Sequence, residues 1–242
     1  MAAVDIDLTN TSTALVVVDM QNGYLHEKGA FARLWPEANN REVKPVDPAK
    51  DFAAASRQFD LALLRQAIPH CKRLIEAARR AGVPVIFVKY VYRKDYKDGG
   101  VLIRKVNPAF RDVGYVAEGT WDAEIIDELT PQPGDFIVNK ARFSAFYATT
   151  LETVLRSLNV ETLVVCGVTA HVCVESTARD GHMRDYQVVI ASDASGEVNE
   201  IWKQTALASF SLAFGWVLPV DDIVAAWEVP RLSENVRQAA SV

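Results

Sequence analysis

The sequence predicts an α/β fold, a six-stranded and mostly parallel sheet with helices on both faces, in the Rossmann-like three-layer manner. Three observations carry this. Short, wholly apolar β-rich runs alternate with longer helical patterns along the chain. The first run, Ala14-Leu15-Val16-Val17-Val18, has no polar position, as expected of a strand covered on both faces. The 242 residues suffice for one full core, and 50% hydrophobic with 24% charged residues is a globular balance. A single domain over residues 1–242 is expected, with its core at about residues 12–228.

The elements follow in order. After the first strand comes the polar turn Asp19-Met20-Gln21-Asn22-Gly23. The segment from His26 to Phe59 is rich in Pro, Asn, Asp and Arg and shows no period; a loop of that length is expected to be a lid or an oligomer contact. Leu61, Leu64, Ile68, Cys71, Leu74, Ile75 and Ala78 recur at helical spacing until Gly82 and Pro84 stop the helix. Val85–Val88 is the second strand, and a glycine-containing loop occupies residues 94–120. A short helix is expected over Trp121–Leu129, then a third strand at Asp135–Val138 behind Pro131, Pro133 and Gly134. The pattern Leu151, Val154, Leu155, Leu158 predicts a helix over Thr149–Leu158, followed by a strand at Thr162–Cys166. Gly167-Val168-Thr169-Ala170 turns into a helix running to about Arg184; Val188–Ile190, Glu197–Phe214 and Trp216–Leu218 complete the list as strand, helix and strand.

Composition narrows the function. Asp+Glu exceed Lys+Arg by 31 to 26, against a nucleic-acid partner, which needs a basic surface. No apolar run approaches a membrane span of about 18 residues, and no basic, apolar leader opens the chain. Cys71, Cys166 and Cys173 are too few for a disulfide framework and fit free thiols in a cytoplasmic protein. Neither a GxGxxG nor a P-loop occurs, and His26, His70, His171 and His182 show no metal-ligand spacing, so neither cofactor nor metal is expected.

Ligands of open parallel sheets sit at the carboxyl ends of the strands. There the sequence places Asp19, Lys140 and Cys173. Each alone has an ordinary reading, as turn former, surface charge or small buried hydrophobe. Together they complement one another: an ammonium and a helix start lower a thiol pKa, and a carboxylate can take and return its proton. A thiolate at neutral pH is the expectation. Cys166 lies within a strand and Cys71 on a helix stripe, so both read as packing residues. His171, two residues before Cys173, could line the pocket.

Val16-Val17-Val18-Asp19-Met20-Gln21-Asn22, Asn139-Lys140-Ala141-Arg142-Phe143-Ser144-Ala145-Phe146 and Gly167-Val168-Thr169-Ala170-His171-Val172-Cys173-Val174 resemble the isochorismatase-like cysteine hydrolases, in order and over residues 12–228. The resemblance implies Asp19 as proton-transfer carboxylate, Lys140 as the ammonium that tunes the site and Cys173 as nucleophile. It also implies a cis Val168–Thr169 peptide, with the amides of Thr169 and Cys173 facing the oxyanion. Gly119-Thr120-Trp121-Asp122, Pro131-Gln132-Pro133-Gly134-Asp135 and Cys173-Val174-Glu175-Ser176-Thr177 are similar to the ureidoacrylate amidohydrolase subgroup and its biuret- and triuret-hydrolysing relatives. Tyr90, Tyr92 and Phe143 differ from that subgroup.

The expected reaction is cofactor-free hydrolysis of a small amide or ureido compound with water, releasing ammonia through a thioester-like intermediate. Asn22, Tyr90, Tyr92, Trp121 and Phe143 are the candidate substrate contacts. N-carbamoyl amino acids are alternative substrates. Rival classes are an isochorismatase-type vinyl-ether hydrolase and a non-catalytic binding member of the fold. A substrate carboxylate would call for one of Arg93, Lys94, Arg104, Lys105 or Arg142, none of which the sequence places. Relatives imply a homodimer or homotetramer.

Overall fold

The computed structural model describes residues 6, 8, 11–39 and 47–228. Six strands form one sheet: β1 (Thr13–Val18), β2 (Val85–Tyr90), β3 (Phe136–Lys140), β4 (Thr162–Val168), β5 (Gln187–Gly196) and β6 (Trp216–Leu218). Their spatial order is β3-β2-β1-β4-β5-β6, and every pairing is parallel. The sheet is thus more uniform than the mostly parallel one expected.

β1 lies at the centre, with Leu15 opposite Val85 on one side and Val164 on the other, and its apolar residues are fully buried. The chain runs outward from β1 to β2 and β3 on one side and from β4 to β5 and β6 on the other, and the right-handed crossovers general to parallel sheets put the helices of the two halves on opposite faces. The helix Ala67–Ala81 buries Cys71, Leu74, Ile75 and Ala78 and packs with the helix Val220–Glu228. It stops at Gly82, whose φ of 74° lets the Val83 amide turn back onto the Ala78 carbonyl. On the other face the helices Glu175–His182 and Glu200–Ala213 pack on each other.

The switch in strand order, between β1 and β4, is where a crevice opens at the carboxyl ends of such sheets. β4 approaches β1 so closely there that a Cβ on Gly167 would lie 2.0 Å from the Val18 carbonyl oxygen. With φ of 118°, Gly167 also has a backbone conformation that side chains resist.

Four expectations of local structure are corrected. Trp121–Leu129 is not one helix but two single turns, Trp121–Ala123 and Asp127–Leu129. The chain between them hydrogen-bonds to the exit of β1 instead of to itself: Asn22 N–H donates to the Glu124 carbonyl, and Ile126 N–H to the Met20 carbonyl. The helix expected after the turn Gly167-Val168-Thr169-Ala170, running to about Arg184, begins as a π turn, Ala170–Val174, before becoming α-helical over Glu175–His182. The segment from His26 to Phe59 carries the helical turns Ala30–Leu34, Pro36–Asn39 and Phe52–Ala55; residues 40–46 of it lie outside the described residues. Its Phe31 is buried against Tyr24 and Tyr115, so that part of the expected loop is packed. The expected loop at residues 94–120 likewise buries Ile103, Phe110, Tyr115 and Val116.

Candidate active site

Asp19 follows β1, Lys140 ends β3, and Cys173 sits in the π turn after β4. Two strands separate β3 from β4, yet the Lys140 side chain spans the gap. Its Nζ donates to Asp19 Oδ2 at 2.7 Å, to the Arg142 carbonyl at 3.1 Å and to Cys173 Sγ at 3.3 Å. It also lies 3.9 Å from the ring centroid of Tyr90, the last residue of the intervening β2. A face of an aromatic ring is a suitable floor for a desolvated ammonium. The side chains of Lys140 and Asp19 are both fully buried, and Cys173 is 4% exposed.

Local backbone aims these groups. Asp19 has a φ of 53°, and its amide donates to the Val88 carbonyl while its own carbonyl accepts from Gln21. The Val168–Thr169 peptide is cis. The Thr169 carbonyl accepts from the amides of Val172 and Val174, which closes the turn around Cys173. Thr177 Oγ1 donates to the Cys173 carbonyl and accepts from the Ala145 amide, joining the cysteine turn to the loop after Lys140.

Burial dominates the electrostatics. It raises the Asp19 carboxyl above its ordinary range, with Lys140 opposing, because an ion loses more by leaving water than the ammonium returns. It pushes the Cys173 thiol well up as well; Lys140 opposes and the Asp19 charge adds. The expected thiolate at neutral pH is therefore reversed: desolvation outweighs the cation. Asp19 Oδ1 is buried with no hydrogen-bond partner among the described residues, leaving one oxygen of the carboxylate free to take a proton.

The other predicted residues divide. The Tyr92 hydroxyl donates to that of Tyr90 at 2.7 Å, and Phe143, 40% exposed, has its ring centroid 6.5 Å from that of Tyr90. These three form a wall running outward from Lys140. Asn22 and Trp121 are instead tied to each other, by Asn22 Nδ2 donating to the Trp121 carbonyl at 3.0 Å. The half-exposed Trp121 ring meets His26 edge-on. His171 is held by a buried carboxylate: Glu197 Oε2 accepts from its amide at 2.9 Å and meets its Nδ1 at 2.5 Å. Cys71 donates to the Ala194 carbonyl and hydrogen-bonds with Cys166; that bond and burial hold the Cys166 thiol up.

Four site residues escaped the sequence reading. Gln21, fully buried, donates from Nε2 to the carbonyls of Tyr90 and Ala123 and accepts the Tyr90 amide on Oε1, clamping β2 to the exit of β1. Tyr24 and Tyr115 share a hydroxyl–hydroxyl hydrogen bond; burial raises both, and negative charge on Asp19, or on Cys173 once ionised, raises them further. Glu197 is the fourth. In the sequence Glu197 reads only as the first residue of a helix, Tyr24 only as the residue after a polar turn and Tyr115 only as part of a loop, so none of the three stands out. No group of three or more potential metal ligands occurs among the described residues.

The chain is 34% identical over 233 residues to ureidoacrylate amidohydrolase RutB of Rhizobium rhizogenes, covering 91% of this chain and 85% of the relative. It is 35% identical over 223 residues to RutB of Pseudomonas syringae pv. syringae, covering 87% and 81%. Among solved structures it resembles a cysteine hydrolase from Pseudomonas syringae pv. phaseolicola, with TM-score 0.76, 29% identity and coverage of 94% and 99%. It also resembles N-carbamoylsarcosine amidase from Thermoplasma acidophilum, with TM-score 0.61, 27% identity and coverage of 87% and 97%. Residues 13–222 match the isochorismatase domain, and the chain belongs to the isochorismatase family of hydrolases.

Proposed function

We propose that this amidohydrolase cleaves the terminal C–N bond of a small ureido or amide compound through a covalent intermediate on Cys173, releasing ammonia. The observation that carries the reading is the buried ammonium of Lys140, in contact with Asp19 Oδ2 and Cys173 Sγ together. The similarity to ureidoacrylate amidohydrolases and to N-carbamoylsarcosine amidase supports the ureido class.

In this reading the resting thiol is neutral, as its raised pKa requires, and the nucleophile forms during attack. Asp19 takes the thiol proton as Sγ bonds to the carbamoyl carbon. Its burial helps: a carboxylate lifted toward neutrality is a stronger base than one in water. Lys140 keeps that carboxylate ionised beforehand and offsets the negative charge of the adduct. The oxyanion is held by the amides of Thr169 and Cys173 in the cysteine turn. Asp19 then returns the proton to the departing nitrogen and ammonia leaves, with the acyl group on sulfur. Water, deprotonated by Asp19, attacks the thioester-like carbon; Cys173 leaves with the proton, and the acid is released. Tyr90, Tyr92 and Phe143 flank the substrate.

An ammonia-release screen over ureidoacrylate, biuret, triuret, N-carbamoyl amino acids and simple amides tests this. Activity on at least one ureido compound is expected, falling by about 10³-fold or more in Cys173→Ala. Near-wild-type release from Cys173→Ala would overturn the reading, as would pyruvate release from a vinyl ether with no ammonia released from any member of the panel.

A further inference from the structure

Arg142 lies two residues beyond Lys140, whose Nζ donates to the Arg142 carbonyl. Among the five cations that could meet a substrate acid, it alone is half-buried; Arg93, Lys94, Arg104 and Lys105 are exposed. Arg93 is further occupied by Asp95. Arg142 Nη1 donates to the carbonyls of Asp98, at 2.7 Å, and Ala141. Those two bonds fix the plane of the guanidinium. No carboxylate among the described residues lies within ion-pair distance of it, unlike Arg33, Arg79, Arg179 and Arg184, which each have at least one.

Space is kept for this group. Gly100, with φ of 60°, packs against it so closely that a Cβ would stand 2.8 Å from Nη2 and 3.0 Å from Cζ. Arg142 also acts on the Tyr92 hydroxyl, which in turn bonds Tyr90, whose ring lies beneath the Lys140 ammonium. The guanidinium is thus one tyrosine pair away from the reacting centre. Lys140 is already engaged by Asp19, the thiol, a carbonyl and a ring, so it has little capacity left for a substrate anion. The surrounding phenols of Tyr24, Tyr90, Tyr92 and Tyr115 are neutral at physiological pH, all pushed upward chiefly by burial. The Asp98 carboxylate acts on the same Tyr92 hydroxyl in the opposite sense, yet it makes no contact ion pair with Arg142, whose guanidinium therefore presents a planar fork suited to a carboxylate.

We propose that the half-buried Arg142 guanidinium, held by the Asp98 and Ala141 carbonyls and with no carboxylate at ion-pair distance among the described residues, binds the carboxylate of a ureido acid whose carbamoyl end meets Cys173. This rests on the reading of the site as a ureido hydrolase and selects, within that class, ureido acids over uncharged biuret and triuret.

The test is titration calorimetry of N-carbamoyl-β-alanine and its methyl ester against Cys173→Ala protein, which binds without turnover, and against Cys173→Ala carrying Arg142→Met or Arg142→Lys. The acid is expected to bind at least about 10-fold more tightly than the ester, as a charge-assisted pair should. That preference should vanish in Arg142→Met and return in part in Arg142→Lys, with circular-dichroism melts confirming that each variant is folded. Equal binding of acid and ester by the parent protein, or a preference that survives Arg142→Met, overturns the proposal, as does failure of the parent to bind either. The outcome separates from that of the ammonia screen: ammonia release without acid preference refutes the Arg142 subsite alone, and an Arg142-dependent preference without ammonia release refutes the hydrolytic reading alone.

Discussion

Replacing Lys140 with Met removes a charge while keeping much of the side-chain volume. The ammonium meets Asp19 at 2.7 Å with both side chains at 0% exposure. At an effective dielectric of about 20, two unit charges that close attract by about 6 kcal/mol. Each ion lost several kcal/mol by leaving water, so the intact pair is no great source of stability; breaking it on one side still costs about 3–5 kcal/mol, because a buried carboxylate is left alone.

Asp19 can escape part of that cost by taking up a proton, and this makes the loss depend on pH. Its native pKa is already raised above 3.8 by burial, and the two strongest opposing influences both come from Lys140. Without them the native value climbs further. Between the unfolded and native values the folded protein holds the extra proton, so stability falls as pH rises through that window. Relative to wild type, Lys140→Met should therefore be least destabilised near pH 5 and increasingly so toward pH 8, by at most about 1.4 kcal/mol per pH unit. Urea denaturation at several pH values measures this. Adding Asp19→Asn should recover much of the lost stability, though not activity. A cost below about 1 kcal/mol that does not vary with pH would refute the account, since it would mean that water already solvates the pair.

Two more expectations follow from packing and burial. Gly167→Ala places a methyl group against the β1 backbone at a φ that side chains resist, so the variant should lose more than about 3 kcal/mol or fail to accumulate as folded protein; a melting temperature unchanged from wild type would contradict it. Iodoacetamide labelling of Cys173, followed by mass spectrometry of its peptide, should be slower at pH 7 than labelling of a free thiol and still rising above pH 9. Rapid labelling that levels off below pH 8 would restore the resting thiolate.

The parallel sheet was legible because strands buried on both faces must be continuously apolar, and runs such as Val85–Val88 and Thr162–Cys166 announce themselves by that pattern. The Rossmann-type order was legible too, since right-handed crossovers leave few ways to arrange such an alternation. Strand exits located Asp19, Lys140 and Cys173, as backbone topology alone brings those ends to one rim. Periodicity carried no trace of the aromatic cluster of Tyr24, Phe31, Phe110 and Tyr115, because its members come from separate irregular segments and meet only after folding. Nor did it reveal the bridging role of Gln21, whose partners are backbone groups 69 and 102 residues away.

Residue types along the chain were enough to name an acid, a base and a sulfur that could react together. Their protonation was decided only in three dimensions, since the free energy of a charge depends on how much water the fold removes from around it. Here that removal is nearly complete, and it turns an expected thiolate into a neutral thiol beside a carboxylate with one oxygen free.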